Sequence, residues 1–277
     1  MKVLLIGGAK FIGPAAARHL AKAGHELTLL HRTHSPELPY CQLKGDCERV
    51  GDLYRALELT QPELLLHTTA MFERQIKALE QALSGRRTRI VLLSSADVYK
   101  AFEVVNRLSD APLQPLPLSE GSQLRDLRYP HRGRSNLDIA QDYEKILVES
   151  AALESPVMDA TILRLGMVYG RNDPNHRFLE RVQSMARGEP RIELPKAMAD
   201  FRACLCYVED IAHGIRLAAE SRAAGEIYNL AAQETLTEAE WIRRIARLTG
   251  WKGELVLTGD AALPDGLNPA QHLVLDS

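Results

Sequence analysis

The sequence predicts an α/β fold, a doubly wound parallel sheet with helices on both faces and a smaller C-terminal lobe. Three observations carry that reading. Short apolar runs alternate with helix-like segments through the first 100 residues, the rhythm of repeated strand–helix units that build a parallel sheet. The first run, Lys2–Ile6, passes directly into a glycine-rich loop, Gly7-Gly8-Ala9-Lys10-Phe11-Ile12-Gly13, and then into helix. The runs Glu63–Thr68 and Arg89–Ser94 read as buried strands.

Each element follows from local chemistry. Pro14–Ala23 is a helix with Pro14 in the first turn, where its missing N–H costs nothing, and Gly24 ends it. Glu26–Leu30 is the second strand. Thr33–Tyr40, with serine, histidine and two prolines, is a loop. Cys41–Leu43 is a third strand, Gly51–Thr60 a helix, and Phe72–Leu83 a helix carrying Ile76, Leu79 and Leu83 on one face. Lys100–Ser135 holds Pro112, Pro115, Pro117 and Pro130 with little periodicity, and is expected to be a long functional loop. Asn136–Leu153 reads as one long helix and Thr161–Val168 as a strand. The chain after Gly170 is less regular, with a helix near His176–Arg187. The capping box Thr237-Glu238-Ala239-Glu240 opens a helix to about Thr249. The expected division is a Rossmann-type dinucleotide-binding domain over residues 1–160. Residues 161–277 form mainly a substrate lobe, with segments returning to the Rossmann core.

Composition narrows the partners. The 277 residues are 45% hydrophobic with a net charge of -2, so no basic excess suits a nucleic acid. The apolar N-terminal run is too short for a signal peptide or a membrane span. The expected partner is a small-molecule substrate, with no nucleic acid and no membrane, in the cytoplasm; a homodimer is compatible with this. Cys41, Cys47, Cys204 and Cys206 include no C-x-x-C pair. Cys204 and Cys206 share a strand face, and all four read as plain thiols of a reducing compartment.

Two motifs concern a cofactor. Glycines between a first strand and a first helix let backbone approach a pyrophosphate at the helix N-terminus, which assigns Gly7, Gly8, Lys10, Phe11, Ile12 and Gly13 to that site. At the end of strand two, an acidic residue would bind the adenosine ribose hydroxyls and select NAD. Leu30-His31-Arg32 has none. His31, Arg32 and Lys10 instead suit a 2′-phosphate, so NADP(H) is expected over NAD(H).

Five ordered motifs then give a family resemblance: the glycine loop; Leu92-Leu93-Ser94-Ser95-Ala96-Asp97-Val98-Tyr99; Ile162-Leu163-Arg164-Leu165-Gly166-Met167-Val168-Tyr169-Gly170; Tyr207-Val208-Glu209-Asp210-Ile211-Ala212; and Gly225-Glu226-Ile227-Tyr228-Asn229-Leu230. Together they resemble the extended short-chain dehydrogenase/reductases, the NAD-dependent epimerase/dehydratase group. Lys10 stands where the middle glycine is usual. Lys10 and Tyr129-Pro130-His131-Arg132-Gly133 resemble an atypical branch, and the chloroplast stem-loop RNA-binding proteins share the first of these features. The resemblance implies that Asp46 and Cys47 contact the adenine, and that Thr68 and Thr69, after His67, lie near the diphosphate and ribose. His67 itself reads as a satisfied buried histidine. Relatives usually continue past a segment like Gln271–Ser277 into a further helix, so a truncated chain or a reduced lobe is expected.

The resemblance also implies a catalytic serine, tyrosine and lysine. Ser95 and Lys145 fit, with Glu149 one turn after the lysine, but Gln141 occupies the tyrosine position four residues before Lys145. Gln cannot donate a tunable proton. On a continuous helix Tyr143 would face away from Lys145. Asp97, Tyr129 and His131 are candidate replacements. The implied function is NADP(H)-dependent reduction or epimerisation of a sugar nucleotide or similar carbonyl/hydroxyl compound. The alternatives are a cofactor-binding regulatory protein with little turnover, and an RNA-binding relative of the chloroplast proteins.

Overall fold

The structure, a computed structural model, describes residues 1–221, 225–259, 263 and 266–277. The chain begins β1 (Lys2–Ile6), α1 (Ile12–Lys22), β2 (Glu26–His31), β3 (Cys41–Lys44), α2 (Val50–Thr60), β4 (Leu64–His67), α3 (Glu73–Leu83) and β5 (Thr88–Ser95). It continues through α4 (Lys100–Val105), α5 (Asp138–Asp142), α6 (Lys145–Glu154), β6 (Met158–Leu165), β7 (Met167–Tyr169), α7 (Leu179–Ala186), β8 (Arg191–Pro195) and α8 (Lys196–Ala199). Last come β9 (Leu205–Tyr207), α9 (Val208–Glu220), β10 (Ile227–Leu230), α10 (Glu238–Thr249) and β11 (Glu254–Thr258).

Seven parallel strands form the main sheet in the order β10-β6-β5-β4-β1-β2-β3. Alternate residues of β1 feed two cores. Val3 and Leu5 pack with Ala16 and Leu20 of α1 and Ile215 of α9; Leu4 and Ile6 pack with Leu53 of α2, Ile76 and Leu79 of α3 and Val148 of α6. Each fully buried aliphatic side chain contributes roughly 1.5–3 kcal/mol relative to exposure, which is why β1 has no polar face. The winding reverses between β1 and β4, so a crevice opens at their carboxyl ends, where such sheets bind ligands. β6 runs across residue 160 and β10 returns to the sheet from the far end of the chain. A second unit pairs β8 with β11 over its own core of Met185, Leu194, Ile242 and Ile245. No helix among the described residues is long and apolar enough to cross a membrane.

Four sequence expectations are corrected. The stretch from Asn136 to Leu153 is two helices, broken at Tyr143 (φ -60, ψ 119) and Glu144 (φ -156, ψ 93). The strand expected over Thr161–Val168 divides at Gly166: β6 stays in the main sheet while β7 pairs with β9. A side chain at Gly166 would meet the Cys204 carbonyl oxygen at 2.6 Å, so only glycine allows this crossing. The segment read as loop from Lys100 opens with α4, whose Lys100 is buried against Glu103 and bonded to Asp126 at 2.7 Å. The less regular region after Gly170 contains the thirteen-residue helix α9.

Candidate active site

The glycine loop folds tightly on itself. Gly7 has φ +90, and a Cβ there would lie 2.3 Å from Thr69 Oγ1 and 2.9 Å from Thr68 Oγ1. A Cβ on Gly13 would lie 2.5 Å from Gly8 Cα. Phe11 adopts φ 49 at the turn into α1, and Ile12 opens the helix, whose first turn carries no acidic residue. Bare backbone, a free helix N-terminus and the hydroxyls of Thr68 and Thr69 thus share one crevice. At the β2 end of the crevice Lys10 and Arg32 are exposed. His31 is buried, with Nδ1 unpartnered. Asp46 is engaged in its own turn, its Oδ1 accepting from Glu48 N at 3.0 Å. Burial, then the charges of Asp46 and Glu48, push the Cys47 thiol up to about 11, so it is an inert thiol that Gln75 Nε2 approaches at 3.5 Å.

At the other end of the crevice the helix break decides the site. Lys145 is the first residue of α6 and is buried. Its Nζ donates to the carbonyls of Ala70 at 2.6 Å and Leu93 at 2.9 Å, tying together the chain beyond β4 and the end of β5. Because the backbone is extended at Tyr143 and Glu144, Tyr143 does not turn away, as a continuous helix would require. Its hydroxyl donates to Asp97 Oδ2 at 2.7 Å, it hydrogen-bonds the Ser95 hydroxyl, and its ring centroid lies 5.8 Å from Lys145 Nζ. The sequence reading sets this residue aside because it assumes a continuous helix. The available signal was Glu144, an acceptor just before Lys145; its side chain caps α6 by accepting from Ile146 N at 2.9 Å.

Gln141 goes elsewhere. Its Nε2 donates to the Ser135 carbonyl at 2.8 Å and its Oε1 accepts from Gly133 N at 3.3 Å, so it closes the 133–135 turn rather than facing Lys145. Tyr129 is held by its backbone, donating to Glu144 Oε2 at 2.7 Å, with its ring under the Arg132 guanidinium at 4.0 Å. Its neighbour His131 enters the site instead, with Nε2 3.9 Å from Asp97 Oδ2 and its ring 5.1 Å from that of Tyr143. Asp97, Ser95, Tyr143, Lys145 and His131 are therefore brought together; Gln141 and the Tyr129 side chain are not.

The electrostatics of this group are coherent. Burial works to raise the Asp97 pKa, but the nearby His131 ring, the hydrogen bond from Tyr143 and the charges of Arg125 and Lys145 outweigh it, leaving the carboxyl below its ordinary range. Burial and the Asp97 charge hold the Tyr143 phenol well above its ordinary value. Burial lowers Lys145 to about 8 against the pull of Asp97 and Glu149. His67, fully buried and beside the Lys145 charge, is lowered to about 3. Neither of its ring nitrogens has a partner, which corrects the expectation of a satisfied histidine.

Two buried networks support these positions. Arg125 and Glu144, 0% and 1% exposed, form a bidentate pair at 2.6 and 2.8 Å. Arg125 Nε also donates to the Asp97 carbonyl at 2.9 Å, so one ion pair fixes both the break and the aspartate. Beneath them Glu149 accepts from Ser94 at 2.5 Å and from Arg164 at 2.7 Å; Arg164 reaches the Tyr99 hydroxyl at 3.2 Å, and that hydroxyl donates to Asn229 at 2.6 Å. Motif residues far apart in sequence meet here as one polar chain.

A Rossmann-type sheet with a glycine loop at its switch point and a serine–tyrosine–lysine group at the adjacent strand ends defines a short-chain dehydrogenase/reductase architecture. The model of the NAD dependent epimerase/dehydratase family matches residues 3–231, and the chain belongs to that family. Among solved structures, UDP-glucose 4-epimerase of Thermotoga maritima, determined with UDP-glucose, is similar at a TM-score of 0.71 and 16% identity over 100% of this chain and 90% of that one. The Thermus thermophilus UDP-glucose 4-epimerase complexed with NAD gives 0.70 and 20% over 99% and 90%. The dTDP-glucose 4,6-dehydratase of Bacillus anthracis in complex with NAD gives 0.71 and 15% over 100% and 88%. At these identities the likeness is one of fold. A curated relative, 2-alkyl-3-oxoalkanoate reductase of Stenotrophomonas maltophilia, is 37% identical over 70 residues, which take in 25% of this chain and only 18% of that protein.

Proposed function

We propose that the protein is an NADP(H)-dependent oxidoreductase that reduces a carbonyl on a small molecule, and that Tyr143 supplies the proton. The supporting observation is the Tyr143 hydroxyl, held between Ser95 and Asp97 beside Lys145. The crevice fits a dinucleotide: Gly7 and Gly13 leave the backbone bare where a diphosphate meets α1, and no carboxylate in the first turn opposes it. Lys10 and Arg32 suit a 2′-phosphate, and charge-assisted hydrogen bonds there favour NADPH by tenfold or more, at roughly 1.5–3 kcal/mol each. When bound, the nicotinamide supplies or accepts a hydride.

The chain's own groups do the rest. Ser95 orients the Tyr143 hydroxyl toward the substrate oxygen. The raised Tyr143 pKa keeps it protonated, the state from which it can give a proton to a carbonyl oxygen. Lys145, bound to two carbonyls, has one remaining proton for a ribose hydroxyl. The names of the relatives suggest two substrate classes, a 2-alkyl-3-oxoalkanoate and a UDP-sugar.

The test compares Tyr143→Phe and Gln141→Ala in NADPH consumption with a 2-alkyl-3-oxoalkanoate and in interconversion of UDP-glucose. Tyr143→Phe should abolish turnover and Gln141→Ala should leave it unchanged; the opposite pattern would overturn the assignment. Titration calorimetry should show NADPH binding more tightly than NADH, with Arg32→Asp reversing the order, and equal affinities in the unmodified protein would remove the cofactor preference.

A further inference from the structure

We infer that His131 and Asp97 form a proton path that recharges Tyr143 from solvent after each turnover, an inference that rests on the proposed reduction. The geometry is specific. Tyr143 and His131 address the same carboxylate oxygen, Asp97 Oδ2, at 2.7 and 3.9 Å. Asp97 is buried and Tyr143 half-buried, whereas the His131 side chain is 38% exposed, so it is the member of the three most open to water. Its ring is held edge-on between Phe102 of α4, at 5.7 Å, and Tyr143, at 5.1 Å. The groups facing it are the Asp97 carboxylate and the Tyr143 phenol, with the Arg125 and Lys145 charges acting on Asp97 from behind.

The need for a path follows from the chemistry. Reducing a carbonyl to a carbinol consumes one hydride, from reduced nicotinamide, and one proton, from Tyr143; the C–H and O–H bonds form as the carbonyl π bond breaks. Tyr143 is then a phenolate against a carboxylate, an unfavourable pair of like charges. Transfer of the imidazolium Nε2 proton to Asp97 Oδ2 through one water, which the 3.9 Å gap between them admits, and of a proton from Asp97 to the phenolate oxygen, restores Tyr143 and leaves a neutral imidazole, which solvent reprotonates. Histidine is the side chain that both takes and gives a proton under physiological conditions.

The experiment uses the full chain. In NADPH consumption with a 2-alkyl-3-oxoalkanoate, and separately with UDP-4-keto-glucose, His131→Gln should lower kcat about tenfold or more with little change in KM. Its kcat should fall more steeply as pH rises, and added imidazole should restore it. Imidazole should not rescue Tyr143→Phe. A readout independent of turnover is the His131 resonance in protein labelled at histidine Cε1, assigned by its loss in His131→Gln. Asp97→Asn should move that resonance at fixed pH, because the carboxylate 3.9 Å from Nε2 is replaced by an amide. An unmoved resonance, or a His131→Gln enzyme with full kcat across the pH range, overturns the path while leaving the reduction intact. No NADPH consumption by the unmodified protein with either compound fells the function itself, and the path with it.

Discussion

Lys145 and His67 are both buried, with the lysine charge acting on the histidine, and burial acts on both in the same direction, against the charged form. In the unfolded chain each returns to its ordinary value. For His67, lowered to about 3 in the folded protein, the unfolded state binds more protons between pH 6.5 and 3. Stability therefore falls as pH drops through that window. For Lys145, lowered to about 8, the same rule makes its contribution rise with pH from about 8 toward the ordinary lysine value. We predict that His67→Leu flattens the acid limb of stability, measured as urea unfolding free energy between pH 6.5 and 3. The ring nitrogens have no partners to lose, so the substitution breaks no hydrogen bond. An unchanged pH slope would rule His67 out as the source. The burial of His67 was legible from its apolar strand; its lack of partners was not, because hydrogen bonding at a strand end depends on which loops close over it.

The helix break shows where one-dimensional reasoning stops. The apolar and polar residues from Asn136 to Leu153 carry the same periodicity whether the helix is continuous or interrupted. What interrupts it, the Arg125–Glu144 pair, joins residues 19 apart. Removing one partner of a buried pair leaves an uncompensated charge and costs about 3–5 kcal/mol. Glu144→Gln should therefore lower the melting temperature by roughly 10 °C and reduce turnover by releasing Tyr143 and Asp97 together. Thermal melts and kcat of the same preparation check this; a stable variant with lost activity would mean that the pair acts on the site alone. The glycine loop, in contrast, is a local device and was readable as such. Gly13→Val should abolish NADPH binding by forcing a side chain into the Gly8 backbone, 2.5 Å from where its Cβ would sit; an unaltered thermal shift with NADPH would put the cofactor elsewhere.

For the whole molecule, alternation of strand and helix sufficed to foresee a parallel sheet wound on both sides, because each strand must be apolar on both faces to sit between α1–α9 and α2–α3–α6. The sheet edge was harder. β10 joins β6 from about 60 residues away, and nothing local in Ile227–Leu230 announces that partner. A nicotinamide dinucleotide lodged at the switch point should stabilise the fold by linkage, about 2.7 kcal/mol at a hundredfold excess over Kd. Scanning calorimetry with NADPH should show a rise of several degrees, larger than with NADH at equal concentration.

The tyrosine and the lysine of this site are separated by a stretch whose shape is imposed from outside by a guanidinium and a carboxylate. Where helix pitch sets the interval, that interval cannot drift, since one residue more or fewer rotates the phenol by about 100°. Here the Arg125–Glu144 pair sets the alignment instead, so the meeting of the two side chains does not depend on helical pitch between them.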